Sequence, residues 1–188
     1  MIDPVIQLLI SIGFSLLFIV AGLHKLGNRL RFQGIIEAYQ VVPKSWVPLL
    51  VIKIGVIETA LGIAWLIGNS VLVPLLSAVL LSSYILAISL NLYRGRTYID
   101  CGCGFSAFAG KKEIDAGIQQ LSFGLVLRNY LLIALALIAV LPSTGRVLGT
   151  IDFFGITVGL ISLLLIYSAV NQLLSNHNAI GAWRNVSG

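Results

Sequence analysis

The chain has 188 residues, of which 58% are hydrophobic and only 10% are charged. Soluble domains carry about 25% charged residues, so this composition excludes an ordinary soluble enzyme and indicates an integral membrane protein. Because one spanning helix takes about 20 residues, the length allows about five or six spans and leaves no room for a sizeable soluble domain. The formal charge is +5. In a membrane protein such an excess of basic residues is expected to set the topology, so no nucleic-acid partner is expected.

Five apolar segments are long enough to cross a bilayer. They predict an all-α fold, a polytopic transmembrane helical bundle with a four-helix core and a fifth, C-terminal transmembrane helix. A single integral membrane domain covers 1–188, with spans at about 5–23, 46–67, 71–93, 121–141 and 154–174. The first span is expected to be retained, and the polar tail 176–188 to be a frayed terminus. The three-residue link 68–70 predicts that the second and third spans form a tight antiparallel hairpin.

Two longer connections have features of their own. Apolar residues recur at helical spacing in 29–40, where Phe32, Ile35, Ile36 and Tyr39 form one stripe. This pattern predicts a short interfacial helix that roofs one mouth of the bundle. The other long connection, 94–113, contains both cysteines.

Basic residues are distributed unevenly between the two faces of the bundle. The only one assigned to the N-terminal face is Arg146, whereas the other face receives Lys25, Arg29, Arg31, Lys44, Arg94, Arg96, Lys111, Lys112 and Arg184. By the positive-inside rule the N-terminus lies outside and the cysteine loop is cytoplasmic, in what we expect to be a bacterial inner membrane. Basic residues that bind a substrate or partner would add to this count without reporting topology.

The sharpest chemical feature is the pair Cys101 and Cys103, separated by one glycine. Two thiols at this spacing can close a small, strained disulfide, and strain raises the reduction potential, so that oxidising equivalents are readily passed on. Gly102 and Gly104 allow the unusual backbone angles this needs, and they admit a partner's backbone or a quinone ring closely. The sequence therefore predicts redox-active cysteines.

Charged neighbours would tune these thiols. Arg94 and Arg96 favour the thiolate, which is the attacking species, whereas Asp100 opposes them. Two other interpretations stay open: the cysteines are small apolar residues without reactivity, or they bind zinc. Zinc would need two further ligands, and the chain has only His24 and His177 as histidines, so no metal site is expected.

Ionisable and amide side chains also fall inside the predicted spans. Such groups are costly in a bilayer and are usually paired or functional. Glu58 and Arg128 are natural partners if the second and fourth spans touch, either as a structural ion pair or in binding and proton movement. Lys53 is five positions from Glu58, on a different helix face, and is expected to snorkel to a surface. Asn129 is as suited to a helix–helix hydrogen bond as to catalysis.

The first span ends in His24 and Lys25. His24 could move protons near neutral pH, which makes this pair a candidate proton relay. The competing interpretation is a solvated helix end whose lysine contacts lipid headgroups.

Taken in order, these motifs resemble the MauE family of methylamine-utilisation membrane proteins, within the broader DoxX-like group. The resemblance covers about 10–142 and is carried by Gly22-Leu23-His24-Lys25-Leu26, Ala38-Tyr39-Gln40-Val41-Val42-Pro43, Glu58 with Leu61-Gly62, Arg94-Gly95, Asp100-Cys101-Gly102-Cys103 and Leu127-Arg128-Asn129-Tyr130. One departure is the order Gly104-Phe105, since the family's usual run after the second cysteine is Phe-Gly.

The resemblance implies a four-helix core and a role with a thioredoxin-like partner in forming disulfides in an exported protein. In the name-giving case that protein is the methylamine dehydrogenase small subunit. A thiol–disulfide oxidoreductase is thus one interpretation, and its electrons need a further carrier. Either a membrane quinone accepts them from the pair, or the pair is one stage in moving reducing equivalents across the membrane, the route that a cytoplasmic cysteine loop favours. The alternatives are a non-redox membrane scaffold or chaperone and a DoxX-like, quinone-facing subunit of an oxidoreductase complex.

Overall fold

The computed structural model describes residues 1–67, 70–97, 99 and 121–186, with side chains described as far as 173. These residues form α1 (Pro4–Gly27), α2 (Arg29–Tyr39), α3 (Val47–Ile67), α4 (Leu72–Tyr93), α5 (Phe123–Ile138) and α6 (Thr150–Val186), with a 3-10 turn at Lys44–Trp46. Within the described part of the chain, four segments are long and apolar enough to cross a membrane: Pro4–Gly27, Lys44–Ile67, Leu72–Tyr93 and Thr150–Leu173. The predicted all-α polytopic bundle is confirmed, and the chain is a multi-pass integral membrane protein.

Two helices differ in length from the prediction. The helix α5 has 16 residues, about 24 Å at 1.5 Å per residue, and so is shorter than the 121–141 span. The helix α6 begins before 154, because Asp152 accepts a hydrogen bond from the Gly149 N–H at 2.8 Å and satisfies a donor at the helix start. It continues to Val186, so the expected fraying of the tail from 176 is wrong. The last proline is Pro142, so none interrupts the hydrogen bonds of α6.

Helices α1 and α3 pack most closely of the described pairs, and glycines make this approach feasible. A Cβ on Gly22 would lie 2.7 Å from the Gly55 carbonyl oxygen and 2.8 Å from the Thr59 nitrogen. A Cβ on Gly62 would lie 2.9 Å from the Ser15 carbonyl oxygen. Small residues of this kind let membrane helices meet backbone to backbone, where dispersion contacts are densest.

Helices α3 and α4 are linked mainly through side chains. The Trp65 indole N–H donates to Ser77 Oγ at 2.9 Å, and the Tyr84 hydroxyl donates to Glu58 at 2.6 Å. The later residue of α3 thus contacts the earlier residue of α4, so the two helices run antiparallel, as the short link predicts. Their backbones are less closely packed than those of α1 with α3 or α4 with α5, because a tryptophan and a tyrosine lie between them.

Of the three buried apolar clusters among the described residues, two fill opposite ends of the bundle. Near the N-terminal face, Phe14 stacks on Trp65 with ring centroids 5.0 Å apart. The cluster around them is completed by Ile10, Phe18, Leu61, Val73, Leu81, Ala136 and Ala139. At the other end a second cluster consists of Tyr39, Ile88, Ile99, Leu121 and Leu125, and it joins α2 to α4 and α5.

The N-terminal face is closed by a short network of polar contacts. Ile2 donates its N–H to the Pro142 carbonyl at 3.0 Å and accepts from the Thr144 N–H at 2.8 Å. Arg146 bonds Asp152 at 2.9 Å and Asp3 at 3.3 Å, and these hydrogen bonds raise the pKa of Arg146 above its ordinary value. Since Asp3 also caps α1 by accepting from the Val5 N–H, Arg146 connects the starts of α1 and α6.

Alanine substitution tests the backbone contact between α1 and α3. Gly22→Ala forces a methyl group against the α3 backbone and should lower the free energy of unfolding in detergent by about 1–3 kcal/mol. Gly13→Ala, on the same helix but with no atom within 4 Å of the new Cβ, should be neutral or stabilising by up to about 1 kcal/mol. Equal losses for the two variants in thermal unfolding would contradict the packing described.

Candidate functional site

The predicted redox pair itself is not within the described residues. Cys101, Cys103, Asp100, Gly102 and Gly104 all lie outside them. The structure does describe both ends of the segment that contains the cysteines, and the helices against which those ends are held.

The two ends of this segment are fixed next to each other. The Leu121 N–H donates to the Thr97 carbonyl at 3.0 Å and to the Ile99 carbonyl at 3.2 Å. Ile99 and Leu121 are both buried, and they pack with Tyr39 of α2. The 97–121 segment therefore leaves and rejoins the bundle at one point, beside α2, which we call the loop base.

The predicted arginines lie just before the loop base, at the end of α4. The Arg94 guanidinium is exposed and approaches the Gln40 carbonyl at 3.5 Å. The Arg96 N–H donates to the Asn91 carbonyl at 3.0 Å, and Gly95 between them has a φ of +71°. That left-handed turn favours glycine and directs the chain from α4 toward the loop base.

A buried ion pair occupies the interior beneath the loop base. Lys25 Nζ lies 2.7 Å from both Glu58 carboxylate oxygens, and the Tyr84 hydroxyl donates to Oε1 at 2.6 Å. Glu58 is only 1% exposed, and the Lys25 side chain is 14% exposed. We call these three side chains, from α1, α3 and α4, the charged triad.

Helix geometry explains why the triad forms where it does. Lys25 follows Gly22 by three positions and Glu58 follows Gly55 by three, so each charge lies on the same helix face as a contact glycine. Gly62 of α3 faces Ser15 of α1, whereas Gly22 faces Gly55, so the two helices run antiparallel and the two charged residues lie on opposite sides of the glycine contact. Their side chains tilt toward the N-terminus of their own helices and so reach back to each other across that contact. The ammonium also lies 5.6 Å from the centroid of the Phe32 ring and 5.5 Å from that of Tyr84, at cation–π distance.

The predicted pairing of Glu58 with Arg128 is wrong. Glu58 is bonded by Lys25 and Tyr84, whereas Arg128 Nη1 donates to Asn171 Oδ1 at 2.9 Å. The reason lies in the helix order, because α3 packs on α1 and Arg128 of α5 is directed to α6. Arg128 also lies over the Tyr167 ring, 5.9 Å from its centroid.

The other predicted polar residues are divided between the interior and the surface. Lys53 is exposed on α3, as a snorkelling lysine would be. Asn129 is buried, and its amide donates to the Leu125 carbonyl of its own helix at 2.9 Å. His24 Nδ1 lies 3.1 Å from the Asn28 amide nitrogen, and its ring meets Phe32 edge-on.

Lys25 differs most from expectation. The sequence favours two roles for Lys25, a proton relay with His24 or a contact with lipid headgroups, and its inward ion pair with Glu58 excludes the second. No sequence pattern singles out Tyr84. The inward direction of Lys25 could have been predicted from its position three residues after Gly22, which places the charge on a closely packed face of the helix.

A cavity of about 310 Å³ adjoins the charged triad. It lies between α2, α3 and α4, so that the predicted roof helix α2, confirmed at Arg29–Tyr39, covers it. Its polar lining comes from Lys25, Tyr84 and Ser83, and its remaining lining residues are Phe32, Ile35, Ile36, Tyr39, Val41, Val42, Leu50, Val51, Ile54, Ala87 and Ile88. Because Tyr39 and Ile88 also pack on Ile99, the cavity and the loop base share a wall.

Fold and site together define a multi-pass membrane protein with a buried charged triad beneath the loop base. Residues 3–142 match the family described as MauE, methylamine utilisation protein MauE. The chain is 32% identical to the methylamine utilization protein MauE of Paracoccus denitrificans, over 90% of this chain and 88% of the relative. It is 33% identical to the Paracoccus versutus protein of that name, over 89% and 87%.

The chain therefore belongs to the MauE family. A third relative, MauE of Methylophilus methylotrophus, is 31% identical over 54% of each chain. No solved structure matches. The Paracoccus matches cover 90% and 89% of this chain, which is more than the part that precedes α6, so the similarity extends into α6.

Removing one member of the triad should be far more damaging than removing two. Lys25→Met or Glu58→Leu alone leaves a buried charge uncompensated and should cost about 3–5 kcal/mol in the free energy of unfolding, whereas the double variant should regain most of that loss. Lys53→Met, at an exposed position of α3, serves as the control and should change stability by less than about 0.5 kcal/mol. Simple additivity of the two single losses in detergent unfolding would show that the pair is not coupled.

Proposed function

We propose that this protein is a membrane thiol–disulfide redox protein in which Cys101 and Cys103 exchange a disulfide with a thioredoxin-like partner, in the maturation of an exported protein. The observation that carries the proposal is the position of the Cys-Gly-Cys motif. It begins two residues after Ile99, which is held at the loop base above the charged triad. The names of the relatives support methylamine utilisation as the process served.

The exchange is a transfer of two electrons between two cysteine pairs. A thiolate on one protein attacks a disulfide sulfur on the other, which forms a mixed disulfide and releases one thiolate. The second thiolate of the attacking pair then breaks the mixed disulfide, so that one pair ends oxidised and the other reduced. The direction depends on the two reduction potentials.

Covalent geometry supports a tethered thiol pair. An extended chain spans at most about 3.6 Å per residue, so the Cα atom of Cys101 can be no more than about 7 Å from that of Ile99. Thiolate formation is favoured by cations, and Arg94 and Arg96 precede the loop base by only a few residues. The exposed Arg94 is also available to an incoming partner at this mouth of the bundle.

The orientation we propose places the loop base on the cytoplasmic side. Lys25 no longer counts as a loop charge, since it pairs with Glu58 inside the bundle. The remaining basic residues of that face still outnumber Arg146, which is itself compensated by Asp3 and Asp152. The positive-inside rule therefore favours an outside N-terminus.

Serine substitution separates a redox role from a scaffold role. In cells, one of the single variants Cys101→Ser and Cys103→Ser should accumulate a mixed disulfide with a thioredoxin-fold protein, because the resolving thiol is gone. The double variant should trap nothing and should lose maturation of the exported substrate. Non-reducing gels with mass spectrometry read the adduct, and a double variant that keeps full maturation would establish the scaffold role instead.

Sided alkylation tests the orientation independently. A membrane-impermeant maleimide should label the cysteines in inverted vesicles and not in intact spheroplasts. An added cysteine at Ser143, near the N-terminal face, should show the opposite pattern in a background that lacks Cys101 and Cys103. Labelling of the native cysteines only from outside would reverse the orientation and place the thiols on the side of the exported substrate.

A further inference from the structure

The cavity beneath α2 has a lining that the disulfide exchange alone does not require. At about 310 Å³ it is at the lower end of the range for small-molecule sites, about 300–1,000 Å³. Its wall is aliphatic and aromatic except where Lys25, Ser83 and Tyr84 contribute. Such a lining suits an apolar molecule with one polar end.

Lys25 is the hydrogen-bond donor among these three polar groups, because the Ser83 hydroxyl donates to the Leu80 carbonyl and the Tyr84 hydroxyl donates to Glu58. An ammonium group has three N–H donors, and the Lys25 contacts to the two Glu58 oxygens use two of them. The third lies near the Phe32 and Tyr84 rings and can turn from them to a stronger acceptor on a ligand. No carboxylate is among the described lining residues, since Glu58 lies behind Lys25 and Tyr84. The cavity therefore favours a ligand whose polar end accepts a hydrogen bond, such as a carbonyl oxygen.

We propose that the cavity binds the head ring of an isoprenoid quinone from the bilayer, with one quinone carbonyl accepting a hydrogen bond from Lys25, and that this quinone oxidises the Cys101/Cys103 pair. That the cysteine pair supplies electrons to the quinone rests on the proposed function. The two thiols lose two electrons and two protons and form one S–S bond, while the quinone takes up two electrons and two protons and becomes a quinol. The shared wall of Tyr39 and Ile88 places the ring next to the loop base.

A phospholipid acyl chain is the competing occupant, and the triad argues against it. An acyl chain has no acceptor at its inner end, so it would leave the third N–H of Lys25 with only the Phe32 and Tyr84 rings beside it. A buried donor without a hydrogen-bond acceptor costs free energy. A quinone satisfies this donor and fills the apolar remainder with its ring and first isoprene unit.

Photolabelling of the full-length protein in nanodiscs tests the site directly. An azido-substituted short-chain quinone should label peptides of α2, α3 and α4 around the cavity, and excess decylubiquinone should compete. Ile54→Trp, which fills the cavity from α3, should weaken labelling at least tenfold. Its matched control Ile57→Trp, one turn away at an exposed position of the same helix, should label like the parent protein, and both variants should unfold at the parent temperature.

Two results would overturn the quinone site. One is labelling spread over all lipid-facing helices and unchanged by Ile54→Trp. The other is cavity labelling by a photoreactive phospholipid that decylubiquinone does not displace.

The Cys101→Ser/Cys103→Ser double variant separates this proposal from the proposed function. It should still be labelled by the quinone but should reduce none, whereas the reduced parent protein should form one quinol per oxidised thiol pair. If the parent binds quinone and its thiols stay reduced, the binding site stands and the electron transfer to quinone fails; the redox function fails as well only if no mixed disulfide with a partner is trapped. If the thiols exchange with a partner but no quinone is bound or reduced, the function stands and the quinone proposal fails.

Discussion

Lys25 and Glu58 form the ion pair that organises this bundle. One unpaired charge at the centre of a bilayer costs on the order of 3 kcal/mol on the insertion scale, and here two charges satisfy each other at 2.7 Å. Their contact requires α1 and α3 to approach closely, and Gly22 and Gly55 permit this. The Tyr84 hydroxyl then connects α4 to the same carboxylate, so one polar centre sets the relative positions of three helices.

The two ends of the bundle on either side of this ion pair differ in what fills them. The N-terminal face is held by Arg146 with Asp3 and Asp152, and its interior is filled by the aromatic cluster around Phe14 and Trp65. The opposite face contains the roof helix, the cavity and the loop base. Donor groups, apolar space and the attachment of the cysteine segment all meet there, which is why the proposed chemistry belongs to that end.

Much of the architecture could be predicted from the sequence, because span length and amphipathic spacing are local properties. The helix at 29–40, the hairpin of α3 and α4 and the polytopic bundle all followed from them. The partner of Glu58 did not. Which charged residue pairs with Glu58 depends on which helix packs against α3. The close packing of α1 on α3 depends on glycines, and their contacts become evident only when both helices are seen together. The extent of α6 was missed for a related reason, since hydropathy falls before the helix ends.

The proposed function requires Cys101 and Cys103 to form a reversible two-electron couple. A redox titration of the purified full-length protein in nanodiscs against defined dithiothreitol ratios, with acid quenching, maleimide trapping and intact-mass readout, tests this. We expect a single transition with a two-electron slope, between a species that carries two maleimides and one that carries none. Two thiols that are alkylated at every potential, or that are protected from maleimide by a bound zinc ion, would contradict it.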